Sequence, residues 1–143
     1  MKKEIKPKKK NLAKVKKDVW DIFSRYIRMR DCLETTGCSS WGLCITCHKR
    51  IHFKLLQAGH FIPGRHNANL FSERGTHAQC YNCNINLKGA TLEYRRQIIK
   101  LYGDGTDTEL EEEANKIRKF TIPELEELKA NLKEKIRLLE EII

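Results

Sequence analysis

The sequence has no run of about 18 apolar residues, the length that a membrane-crossing helix needs, so no membrane span is expected. Its first 17 residues are basic and lack the apolar stretch of an export signal. Only 3 prolines and 8 glycines occur in 143 residues, too few for a collagenous or low-complexity chain. Apolar residues amount to 40%, against 33% charged, which supports a modest core. A domain of this size commonly needs a staple such as a disulfide or a metal. With no export signal, the expected compartment is a reducing cytoplasm. There the 6 cysteines are more readily metal ligands than disulfides.

Acidic residues are scarce in the first part of the chain and abundant at its end. Residues 1–17 carry nine lysines against one glutamate. Residues 18–103 carry twelve bases against six acids, and residues 104–143 reverse the balance with seven bases against twelve acids. The net charge of +9 therefore understates a strongly basic front half. A basic surface concentrates polyanions, nucleic acid above all. The expected organisation is a flexible basic tail over 1–17, a nucleic-acid-binding domain over 18–103 and helices over 104–143.

Helical spacing of Leu12, Val15, Val19, Ile22, Phe23, Tyr26 and Ile27 predicts a helix over 12–30, with Trp20, Phe23 and Tyr26 packing on the core. Residues 32–43 read as a loop. Residues 44–90, dense in Cys, His, Gly and Asn, read as short strands and loops organised by a metal, then one short helix. Helices are expected over Thr91–Tyr102 and about Thr108–Phe120, separated by Gly103 and Gly105. Thr121, Pro123 and Glu124 form a capping box that opens the last helix. Its stripe of Leu125, Leu128, Leu132, Ile136, Leu139 and Ile143 either packs on the domain or pairs with a second copy as a homodimer.

Cys44-Ile45-Thr46-Cys47 and Cys80-Tyr81-Asn82-Cys83 are two C-x2-C pairs with 32 residues between them. Two intervening residues let both thiolates of a pair reach one ion, and two pairs complete a closed tetrahedral zinc site. Such a site shapes a fold and performs no chemistry itself. A redox pair would need a βαβ context that is missing here. Cys32 and Cys38 receive no role. The segment between the pairs holds every histidine: His48, His52, His60, His66 and His77. Together with Arg65, Arg74 and several asparagines, they point to a polar site. His48 and His52 read as surface loop residues.

The Gly59-His60 dipeptide between two C-x2-C pairs, with Asn84 directly after the last cysteine, resembles zinc-stapled HNH (ββα-metal, His-Me finger) endonucleases. More narrowly, the string from Ala58-Gly59-His60-Phe61 through Glu73-Arg74, His77-Ala78-Gln79-Cys80 and Cys83-Asn84 to Leu87-Lys88-Gly89 is similar to the phage lambda NinG (Rap) recombination-protein family. The resemblance runs from about Val19 to Leu138. It implies an α+β fold with a small zinc-stapled ββα core flanked by helices. It also implies a DNA endonuclease acting on branched recombination intermediates such as Holliday junctions and D-loops. The setting would be the bacterial host cytoplasm if the chain is phage-encoded.

By that resemblance His60 takes the place of the general base and Asn84 that of a ligand for a catalytic Mg2+ or Mn2+. Residue chemistry agrees: imidazole titrates near neutrality, and a carboxamide oxygen suits a hard cation. Arg65, Arg74 and Lys88 are the candidate DNA contacts. Two positions depart from the nuclease pattern. Gly59 stands where an acidic or histidine ligand is usual, and Gly75 where a bracing asparagine is usual. Asn67 or Asn69 is the candidate brace. His77 or His66 is the candidate ligand, His77 being favoured because it lies three residues before Cys80. His60 itself as the metal ligand is the alternative assignment. A zinc-stapled nucleic-acid-binding module without catalysis is the alternative function.

Overall fold

The computed structural model describes residues 10–64 and 66–143, so Arg65 and most of the lysine-rich tail lie outside the described residues. The architecture is α+β, a set of helices around two small antiparallel sheets. No described helix is long and apolar enough to cross a membrane.

Helix α1 covers Leu12–Thr36. Asn11 caps it by accepting from the Ala13 and Lys14 N–H groups. It continues six residues beyond the expected end at residue 30, because Asp31 and Cys32 are themselves buried there. Gly37 stops it in the left-handed conformation, φ 73°, which glycine adopts without steric cost. The last turn then hands the chain directly into a strand. Thr36 Oγ1 donates to the Trp41 carbonyl at 2.6 Å, and the Leu43 N–H donates to Thr35 Oγ1. Two thirds of the expected loop over 32–43 is thus helix and strand, held by hydroxyls whose partners lie several residues away.

Strand β1 (Trp41–Leu43) pairs with β2 (Arg50–His52), and a single 3-10 turn, Phe53–Leu55, leads into β3 (Gln57–His60). Strand β4 (Thr76–Gln79) pairs with β3 in the register Gln57–Gln79 to His60–Thr76. The intervening loop carries one short helix, α2 (Asn67–Leu70). Two-stranded ribbons are marginal alone in water, and here both lean on α1. Ala58 joins Val19, Phe23 and Ile27 in one core, while Cys32, Leu56 and Ala78 form another. One turn of wide π-type helix, Asn82–Asn86, follows β4.

Helix α3 spans Thr91–Tyr102, as expected, and contributes Tyr94 and Ile98 to a third core with Phe61 and Leu110. Helix α4 is shorter than the expected 108–120. It starts at Thr106 after Gly105 (φ 92°) and ends at Ala114. Between Ala114 and Phe120 no apolar residue is covered: Ile117 is 93% exposed. Helical composition without a buried face is not enough to continue a helix.

Helix α5 spans Ile122–Ile142, with Thr121 Oγ1 accepting from the Glu124 N–H. Glu124 does not close the other half of the box; its carboxylate takes Arg118 instead. Leu125, Leu132 and Ile136 are buried, and the stripe lies on α1 of the same chain. The two helices run parallel, since Lys10 pairs with Glu126 and Arg25 with Glu140. Ile143, placed on the stripe from the sequence, is exposed.

A buried carboxylate ties α1 to the hairpin. Asp31 accepts from the Ala78 N–H (2.7 Å), His77 Nδ1 (3.0 Å) and Arg30 Nε (2.9 Å). Arg30 in turn donates to the Glu73 and Thr76 carbonyls. Burial works against the Asp31 charge. The His77 hydrogen bond and charge, the Arg30 guanidinium and the Ala78 N–H outweigh it and hold the carboxyl below its ordinary value. The stability this supplies is whole above the unfolded carboxylate pKa of about 3.9 and is lost as pH falls through the lower folded value. Asp31→Ala leaves the Ala78 N–H without its acceptor and the buried Arg30 charge without its counter-ion, and is expected to cost about 3–5 kcal/mol in urea unfolding at neutral pH. That deficit is expected to shrink as pH is lowered through the acid range. A constant deficit down to the lowest pH tested would show that the carboxylate charge is not what matters.

Candidate metal centre and polar cleft

The four thiols of Cys44, Cys47, Cys80 and Cys83 lie within 4.8 Å of one another. Cys44 directly follows β1 and Cys80 directly follows β4, so each hairpin delivers one ligand from a strand end and one from the next turn. Cys47 Sγ and Cys80 Sγ are 3.7 Å apart, close to the spacing of about 3.8 Å that two 2.3 Å bonds to one tetrahedral zinc require. Burial raises the Cys44 thiol, but the Thr46 hydroxyl and the Cys80, Cys47 and Thr46 N–H groups pull it down to about 6. Cys83 is pushed up to about 12 by burial and by the neighbouring Cys80 and Cys44, with Thr46 opposing. One thiolate is thus favoured and another suppressed, as crowded thiols behave until a cation offsets their charge. The residues fit a structural zinc. Cys32 is buried in the core and Cys38 is exposed, both away from the cluster.

Next to this centre is a cleft of about 590 Å3. His60, at the end of β3, and Asn84, in the wide turn after Cys83, both line it, together with Lys88, Gln57 and Trp20. His60 Nε2 lies 3.0 Å from the Leu70 carbonyl. A carbonyl only accepts, so in the neutral ring Nε2 carries the proton and Nδ1 the lone pair. Trp20 stacks on the imidazole, with centroids 5.1 Å apart and planes 23° apart. Asn84 donates its amide N–H to Gln57 Oε1 at 2.8 Å. The chain then turns sharply: Lys88, Gly89 and Ala90 all have positive φ (52°, 92° and 47°). Two of these are not glycine and each costs about 1–2 kcal/mol. The Gly89 N–H on the Cys83 carbonyl and Gln79 Nε2 on the Gly89 carbonyl hold that turn, which brings Lys88 to the cleft.

The other expected site residues fall elsewhere. His77 is buried, with Nδ1 on Asp31 and Nε2 2.8 Å from the Tyr102 hydroxyl, and it does not line the cleft. Arg74 is held by Glu109 and Glu113 at the mouth of a separate hollow with Arg30, Glu34, Glu73 and His77. Arg65 is outside the described residues. His66 is exposed, packing over Gly64. Asn69 braces the loop through the Ile62 carbonyl, and Asn67 ties it to Lys16 and to the Arg118 carbonyl. Gly75 is buried against Ser72, and its carbonyl accepts from Phe61. Gln57 and Gln79 were not singled out from the sequence, and Trp20 was expected only to pack on the core. Each is of a residue type common in cores and loops, and only their distant partners give them a place here.

One zinc per chain is expected by elemental analysis of the purified protein. A strong chelator at neutral pH is expected to remove it together with cooperative thermal unfolding, and Cys80→Ser to mimic that loss. A chain with no metal that still melts cooperatively would remove the zinc from the fold.

Comparison with curated proteins finds no match, and comparison with solved structures finds none. The family profile described as bacteriophage lambda NinG protein matches residues 1–141, nearly the whole sequence. It spans both cysteine pairs, the cleft and the capped terminal helix, and on that match the chain belongs to the bacteriophage lambda NinG protein family.

Proposed function

We propose that this chain is a metal-dependent endonuclease that hydrolyses DNA phosphodiesters in branched recombination intermediates, Holliday junctions and D-loops, with a structural zinc on its four cysteines. The observation that carries the reading is the cleft, where an imidazole, a carboxamide and an ammonium from His60, Asn84 and Lys88 meet. In this reading His60 Nδ1 takes a proton from the attacking water. The Leu70 carbonyl fixes the ring through Nε2–H, and Trp20 fixes its plane. The Lys88 ammonium draws the phosphate in, and Asn84 offers a hard oxygen to Mg2+ or Mn2+. Bound there, the ion would offset charge on the phosphate and on the leaving oxygen. The 5′-phosphate stays on the product. The preference for branches rests on the family resemblance. His77 has no part in this assignment, because Asp31 and Tyr102 already engage both its nitrogens.

A labelled four-way junction and a matched linear duplex test the reading, each incubated in Mg2+, Mn2+ or EDTA. Wild type is expected to nick the junction only with a divalent ion. His60→Ala is expected to lower the rate about 10²–10⁴-fold while keeping DNA affinity and fold. Folded, zinc-loaded wild type that cuts neither substrate defeats the reading in favour of a binding module. Affinity is a separate matter: DNA binding is expected to weaken about 10³-fold or more between about 50 and 200 mM salt if six or more phosphates are contacted. A flat salt response excludes binding through the phosphate backbone.

A further inference from the structure

Among the described residues, three buried side-chain oxygens have no hydrogen-bond partner: Asn69 Oδ1, Thr76 Oγ1 and Gln79 Oε1. The last is 0% exposed on β4, next to Cys80. Its orientation is fixed chemically. Gln79 Nε2 donates to Thr46 Oγ1 (3.1 Å) and to the Gly89 carbonyl (3.0 Å). That carbonyl can only accept, so the nitrogen end must face it and the oxygen end must face away.

The oxygen faces Gly59 and Asn84. Gln79 Oε1 lies 1.9 Å, and Asn84 Oδ1 3.1 Å, from the point where a Cβ on Gly59 would stand. A side chain at 59 would push the Gln79 carboxamide aside, so glycine keeps that oxygen where it stands. Asn84 is oriented by its own donation to Gln57, which leaves Oδ1 toward the same point. Two carbonyl dipoles with their negative ends converging repel each other unless a positive charge lies between them. Asn84 lines the cleft that also holds His60 and Lys88.

We propose that Gln79 Oε1 and Asn84 Oδ1 are two protein ligands of one hard divalent cation, Mg2+ or Mn2+, held beside Gly59 where Asn84 walls the cleft. The role of that cation rests on the nuclease reading, whereas its binding does not. Both ligands are neutral, so water or phosphate oxygens complete the shell and the protein alone holds the ion weakly. The site replaces what Gly59 lacks with an oxygen from the partner strand of the hairpin.

The test uses the zinc-loaded full chain, labelled with carbon-13 and titrated with Mg2+. The side-chain carbonyl carbons of Gln79 and Asn84 are expected to shift together along one saturable curve. A shift of Asn84 alone overturns the proposal. So does no shift at all, the result if the Asn84 amide rotates and donates to Gln79 Oε1. Gln79→Met, which keeps the stem and removes the oxygen, is expected to weaken Mn2+ binding, read by electron paramagnetic resonance, about tenfold or more. Unchanged affinity in a folded, zinc-loaded variant also overturns it. If that variant does not fold, the wild-type titration decides. Junction cutting with an unmoved Gln79 signal defeats this inference alone. A moving pair in a chain that cuts nothing defeats the nuclease reading and leaves the cation site standing.

Discussion

Four thiols crowded within 4.8 Å repel one another once ionised, and only a cation makes that convergence favourable. Much else in the molecule follows from it. The two hairpins form separate two-stranded sheets, and the cysteines that end β1 and β4 are where they meet. From the cluster the constraint passes through Thr46, beside Cys44 Sγ, to the Gln79 carboxamide and on to the Gly89 carbonyl. That carbonyl belongs to the strained turn that places Lys88, just after the turn that places Asn84. The cleft is therefore built on the cysteine cluster, through this chain of three hydrogen bonds.

Charge is arranged as a second constraint. The acidic helices do not merely dilute the basic front half. Glu109 and Glu113 hold Arg74, Asp107 and Glu111 hold Arg95, and Glu140 holds Arg25. Exposed pairs of this kind contribute little stability each. Their larger effect is to engage guanidinium groups on these faces; among the described residues, Lys88 is the cation lining the cleft.

The sequence was legible where physics is local. The C-x2-C spacing, the Thr121 cap, the terminal stripe and the α3 boundaries each depend on residues a few positions apart, and each is found in the structure. It was not legible where a partner lies far along the chain. His77 was favoured as a metal ligand for its closeness to Cys80, but Asp31, 46 residues earlier, engages it. Helix α1 outran its expected end because burial of Asp31 and Cys32 depends on β1 and β4. Gly59 looked like a missing ligand, whereas its bare backbone makes room for Gln79. No local signal marked Asp31 as buried: it stands among Arg28, Arg30 and Glu34 and reads as an ordinary surface charge.

The parallel arrangement of α1 and α5 has a consequence for synthesis. Val19, Phe23 and Ile27 are covered by Leu125 and Leu132, which leave the ribosome roughly 100 residues later. All four cysteines have emerged about 40 residues before Leu125 does, a gap of several seconds at roughly 5–20 residues per second. The nascent chain can thus bring its four cysteines together while its longest described helix still has an uncovered apolar face. During that interval the face is a ready target for a chaperone, and a ribosome stalled between Cys83 and Leu125 would leave a metal-bound but sticky fragment.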